Sequence, residues 1–144
     1  MSFITACGND IFLRGSETYD KIYSPHQSQG YYEPDVACHW TVSVTEGQRL
    51  KLIFDDINLS DSGNCNGDFL KIDDSYFCTV PQNQNYVLTK TNMVKIVFYS
   101  TPGSYQRPGG FHLIAMVEGN YIIITTIEFQ SNTLFFFLQN PIQK

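Results

Sequence analysis

The apolar residues of this chain recur at every second position, in stretch after stretch. Trp40, Val42 and Val44 alternate with Thr41, Ser43 and Thr45. After the turn residues Glu46-Gly47, the period resumes in Leu50, Leu52 and Phe54 against Lys51. Val94, Ile96 and Phe98 alternate around Lys95, and Phe111, Leu113, Ala115 and Val117 follow the Pro- and Gly-rich stretch from Thr101 to Gly110. A period of two is that of a strand with one face buried. Asp68 to Cys78 adds a strand pair around Asp73-Asp74-Ser75, and no stretch carries a helical period worth defending. Short strands between turn residues predict an all-β fold, a β-sandwich. Nine Tyr and eleven Phe push the same way, because aromatic rings suit a half-buried pleat.

A length of 144 residues suits one domain, and 42% hydrophobic against 16% charged residues is enough to build a core. Nine basic residues face fourteen acidic ones, a net charge of −5. That balance argues against a nucleic-acid binder, which needs Lys and Arg to neutralise phosphates. It argues equally against attachment to anionic lipid through a polybasic patch. The partner it would attract has a basic surface.

Cys7, Cys38, Cys65 and Cys78 form no Cys-x-x-Cys pair, and no His stands at ligand spacing from another. An even count fits two disulfides and an oxidising, extracellular compartment. The alternative is four buried thiols. Met1 to Cys7 holds neither a charged nor an apolar signal region, so the chain is read as a fragment or as lacking its true N-terminus.

Catalytic constellations are missing. His26, His39 and His112 sit in no triad context, and neither a phosphate-binding Gly-rich loop nor an H-E-x-x-H pair occurs. Gly109-Gly110 reads as a turn. Asp55, Asp56, Asp61, Asp68, Asp73 and Asp74 lie close in sequence, and calcium takes about six to eight such oxygens. Their spacing is not that of an EF-hand, so solvated loop acids are the simpler reading. Asn58-Leu59-Ser60 is an N-glycosylation sequon, meaningful only for a secreted chain.

The last stretch differs in kind. Asn120 to Lys144 includes Tyr121-Ile-Ile-Ile-Thr-Thr-Ile and Leu134-Phe-Phe-Phe-Leu, with only Glu128 and Lys144 charged. A membrane span needs about 20 mostly apolar residues, and Glu128 to Asn132 interrupts this run at its middle. A membrane anchor is therefore disfavoured. An added strand, or a tail produced by a gene-model error, fits better.

From Cys7-Gly8 to Val117 the chain resembles a CUB domain, the extracellular sandwich of complement proteases, astacin-type proteases and spermadhesins, which implies an antiparallel two-sheet, jelly-roll-like topology. The similarity rests on Ile22-Tyr-Ser-Pro25, Tyr31-Tyr32, Cys38-His39-Trp40 and Glu46-Gly47. It continues through Leu52-Ile-Phe54, Cys65-Asn-Gly-Asp68, Asn92-Met93, Ile96-Val-Phe-Tyr-Ser100 and Gly110-Phe111. The order and spacing of these pieces carry it, and none is specific alone. It divides the chain into a lead-in over 1–6, a CUB domain over 7–118 and a hydrophobic tail outside the family pattern over 119–144.

The resemblance implies disulfides Cys7–Cys38 and Cys65–Cys78. Many CUB domains hold calcium through three acids, ordering loops that grip a lysine of a protein partner. Here the first acid position falls on Ser60, the second is kept as Asp68, and the third is replaced by Thr101. With Asp61 the only nearby substitute, no bound metal and no other cofactor is expected. The implied function is a non-catalytic extracellular binding module for a protein ligand, acting through the loops Asp55–Asp68 and Thr101–Gly110. Tyr105 and Arg107, beside Asp68, are the expected ligand-binding residues. The alternative is a non-catalytic fragment of a secreted multidomain protease, such as an astacin-type metalloprotease. Glycan binding is a further option, opposed by the scarcity of Lys and Arg.

Overall fold

The computed structural model describes residues 7–15, 18–60 and 64–119. The segment after Gly119, which the sequence sets apart as a tail, lies outside the described residues, as does Asp61.

The alternating stretches become the long strands. In chain order they are β1 (Asp10–Phe12), β2 (Tyr19–Tyr23), β3 (Tyr31–Tyr32), β4 (Val36–Ser43), β5 (Leu50–Asn58) and β6 (Phe69–Ile72). There follow β7 (Ser75–Phe77), β8 (Tyr86–Leu88), β9 (Met93–Ser100), β10 (Arg107–Pro108) and β11 (Gly110–Val117). One sheet has the order β1-β4-β9-β6-β7 and the other β2-β11-β5-β8, with β3 and β10 forming a small third pair. The only helical element among the described residues is a 3-10 turn at Gln27–Gln29.

The buried faces meet between the two sheets. Trp40 and Phe98 from the first sheet pack on Phe111 from the second, with ring centroids 5.7 and 5.3 Å apart. Leu50, Leu52, Leu70, Ile96, Leu113 and Ala115 are fully buried around them. Each Leu or Ile among them contributes about 1.5–3 kcal/mol on removal from water, so this layer is the main source of stability.

Two features depart from simple alternation. The register between β5 and β11 shifts at His112/Leu113, a bulge that leaves Asp55 and Asp56 both exposed and turns Ile57 back into the core. Strand β1 runs parallel to β4, where the remaining pairings are antiparallel. The Cys7–Cys38 disulfide places the start of β1 beside β4 and sets its course along that edge. Gly8 lies so close to the backbone of His39 that a Cβ there would collide with it.

Candidate functional site

The loops expected to bind a ligand gather at one end of the sandwich, and a single carboxylate organises them. Asp68 stands just before β6 and its side chain is 2% exposed. Its Oδ1 accepts from the Thr101 amide at 2.8 Å and the Thr101 hydroxyl at 3.0 Å. Its Oδ2 accepts from the Tyr32 hydroxyl at 2.6 Å and the Ser60 hydroxyl at 2.8 Å. Arg107 Nη1 donates across both oxygens, at 2.9 and 3.0 Å. Tyr32 is itself held by the Ser60 amide, 2.8 Å from its hydroxyl oxygen.

Each partner is delivered by a strand end. Thr101 follows β9, Ser60 follows β5, and Tyr32 and Arg107 are register partners in the β3–β10 pair. The stretch Thr101–Gly110 is therefore pinned at both ends. Asp35 donates its amide to the Thr101 carbonyl, and Gly109 donates to the Gly30 carbonyl. Gly109 has φ +117° and lies against the Asn58 backbone, a conformation and closeness that other residues do not tolerate.

Burial acts to raise the Asp68 pKa. The hydrogen bonds from Tyr32, the Thr101 amide, Ser60 and the Thr101 hydroxyl outweigh it and hold the carboxyl below its ordinary value. Burial pushes the Tyr32 phenol up, and its hydrogen bond to Asp68 adds to that rise. Both groups are fixed in the forms the network needs: carboxylate and neutral phenol.

These residues do not fit calcium. Ser60 and Thr101 direct hydroxyl hydrogens at Asp68 rather than lone pairs at a cation, and a guanidinium already lies against both carboxylate oxygens. Among the described residues, no group of three His, Cys, Asp or Glu side chains could hold a metal ion.

The expected ligand-binding residues separate into two roles. Asp68 and Arg107 spend their polar groups on each other, and the Arg107 side chain is only 20% exposed. Tyr105 alone projects, at 83% exposure. Around it lie Pro102, which accepts from Arg107 Nη2 at 3.3 Å, and Gln106, which donates to Glu33 Oε2 at 3.1 Å. Glu33 and Asp35 are half-buried at this end and Asp56 is exposed. Asn58 is exposed at the end of β5, paired with Gly110. The disulfides join Cys7 to Cys38 and Cys65 to Cys78, the pairing the resemblance implies. Tyr32, Glu33 and Gln106 were not singled out as site residues in the sequence. No local pattern marks them: Tyr32 is placed by its pairing with Arg107, and Glu33 and Gln106 by their contact across the same two segments.

A family model described as CUB domain matches residues 7–114. The chain belongs to the CUB domain family. CUB domains are non-catalytic modules, typically extracellular and engaged in protein interaction. Cubilin of Sus scrofa is 31% identical over 131 residues, covering 75% of this chain and 4% of that protein. The full extracellular region of zebrafish Gpr126/Adgrg6 superposes with a TM-score of 0.62 at 25% identity, covering 78% of this chain and 15% of that one. The MASP-1 CUB2 domain bound to Ca2+ has the same fold, with a TM-score of 0.57 at 22% identity over 73% of this chain and 96% of that one. The chain thus spans a few per cent of the length of the cubilin it matches.

Proposed function

We propose that this CUB domain is an extracellular recognition module whose loop end, centred on Tyr105, binds a protein partner with a basic surface. The observation that carries the reading is the contrast between Tyr105 and its support. A ring that is 83% exposed stands on a segment anchored at Thr101 and Arg107. A rigid aromatic contact loses little freedom on binding, which is why Tyr is favoured at interfaces. Glu33, Asp35 and Asp56 lie at the same end, and the whole chain carries −5, so a cationic surface is drawn toward it. Partner lysines meet these acids and not Asp68, which Arg107 has already neutralised.

The test is retention of the refolded, disulfide-bonded chain on an immobilised lysine-rich peptide, on the same peptide with Glu replacing Lys, and on heparin. Retention by the lysine peptide that Tyr105→Ala and Glu33→Gln each weaken supports the reading. Retention by heparin alone replaces it with glycan binding, and indifference to Tyr105→Ala removes the loop end as the binding surface.

A further inference from the structure

We infer that Arg107 is a tethered cation: its guanidinium takes the place that a cation shared by the two Asp68 oxygens would hold, and so makes the Thr101–Gly110 loop indifferent to calcium. Nη1 lies 2.9 and 3.0 Å from the two oxygens of Asp68, where a cation shared by both oxygens would sit. The surrounding groups are donors. The Thr101 amide and hydroxyl, the Ser60 hydroxyl and the Tyr32 phenol all direct hydrogens at the carboxylate. A metal would require the opposite, lone pairs converging on a centre. One guanidinium against one carboxylate also balances charge, whereas a divalent ion would leave an uncompensated positive charge beside a second cation.

The backbone is shaped for this side chain. Arg107 is fixed by its pairing with Tyr32, so two of the groups that hold the carboxylate are register partners. Gly103 leaves the lane open, since a Cβ there would come within 2.6 Å of Arg107 Nη2. The Pro102 carbonyl accepts from that same nitrogen. Positions 60 and 101, where the resemblance places acids, carry hydroxyls that donate to Asp68, and Arg107 supplies the one positive charge. The inference concerns how the loop is held and stands whether or not the loop end binds a partner.

The experiment follows the oxidised full chain by amide hydrogen exchange and thermal melting, in calcium and in a chelator, with no ligand present. Wild type is expected to behave identically in both. Arg107→Ala is expected to speed exchange across 101–110 by at least about tenfold, with β4 and β9 unaffected. Arg107→Gln, which keeps length and removes charge, must show the same loosening and serves if the alanine variant fails to accumulate. Ser60→Glu with Thr101→Asp is expected to remain blind to calcium while Arg107 is present, and to gain a calcium-dependent melting rise once Arg107→Ala is added. A calcium response in wild type overturns the inference. So does a response from the two introduced acids alone, or loop exchange at the wild-type rate in both Arg107 variants.

Discussion

Arg107 and Asp68, 39 positions apart, meet through one guanidinium nitrogen that donates to both carboxylate oxygens at 2.9 and 3.0 Å. The contact joins β10 to the entry of β6, and Thr101, Ser60 and Tyr32 complete it from three further points of the chain. A buried carboxylate with this many donors is both a clasp and a liability, because each partner depends on it.

Asp68→Ala is therefore expected to be more damaging than Arg107→Ala. Removing one member of a buried pair costs about 3–5 kcal/mol, mostly from the charge left behind. Loss of Arg107 leaves Asp68 with hydrogen bonds from Tyr32, Ser60 and Thr101, which soften the penalty. Loss of Asp68 strands those donors and the guanidinium together. Urea unfolding of the two single variants and the double variant checks the order. The double variant should be less destabilised than the sum of the singles.

The same cluster sets a pH window. The Asp68 pKa is lowered in the fold, so its contribution is complete above the ordinary carboxylate value and is lost as pH falls through the depressed one. The Tyr32 pKa is raised, so its contribution is complete below the ordinary phenol value and is lost as pH rises through the elevated one. Stability measured against pH should show an acid limb that Asp68→Asn flattens and an alkaline limb that Tyr32→Phe flattens. An acid limb unchanged in Asp68→Asn would assign it to other carboxylates.

Both disulfides should be worth keeping, and unequally. Their separations are 31 and 13 positions, and the chain-entropy model gives roughly 3 to 4 kcal/mol each, the longer loop contributing more. Replacing Cys7 and Cys38 by Ser should lower the unfolding midpoint further than replacing Cys65 and Cys78. The first bridge also sets the course of β1 along β4, which adds to the difference. Non-reducing peptide mapping should recover Cys7 with Cys38 and Cys65 with Cys78. A Cys38–Cys65 peptide would contradict the fold.

The long strands were legible because burial on one face of a pleat writes itself as a period of two, which β4 and β9 carry throughout, β5 as far as its bulge and β11 from Phe111 to Ala115. Strands β1, β3 and β10 were not. They have two or three residues each, too few to display a period, and they are placed by partners far away in sequence. The candidate site divides the same way. Asp68, Ser60, Thr101 and Arg107 stand out in the sequence, Ser60 and Thr101 as gaps in the acid set that the resemblance implies. What no local pattern contains is which loop cation reaches which acid. That depends on the β3–β10 register, which brings Arg107 alongside Tyr32.

Truncation after Glu118 is expected to leave the sandwich folded. Strand β11 already has β2 on one side, paired from His112 to Met116, and β5 on the other, paired as far as Val117. The chain leaves it at a defined end, where the Glu118 amide donates to the Arg49 carbonyl and its carboxylate forms two hydrogen bonds with the Arg49 guanidinium, at 2.9 and 3.0 Å. From His112 to Met116 both sides of β11 are taken by neighbouring strands. The sequence beyond, with Phe135-Phe-Phe137 and two charges in its 25 positions from Asn120 to Lys144, is of the kind that promotes association when exposed. Both forms can be produced in an oxidising compartment and compared for soluble yield and urea midpoint. The shortened form should be at least as soluble, with its midpoint unchanged within error. If residues 120–144 completed the core, their removal would open a cavity and cost several kcal/mol, about 2–5 for each large apolar side chain lost. A fall of that size would move the domain boundary past Glu118.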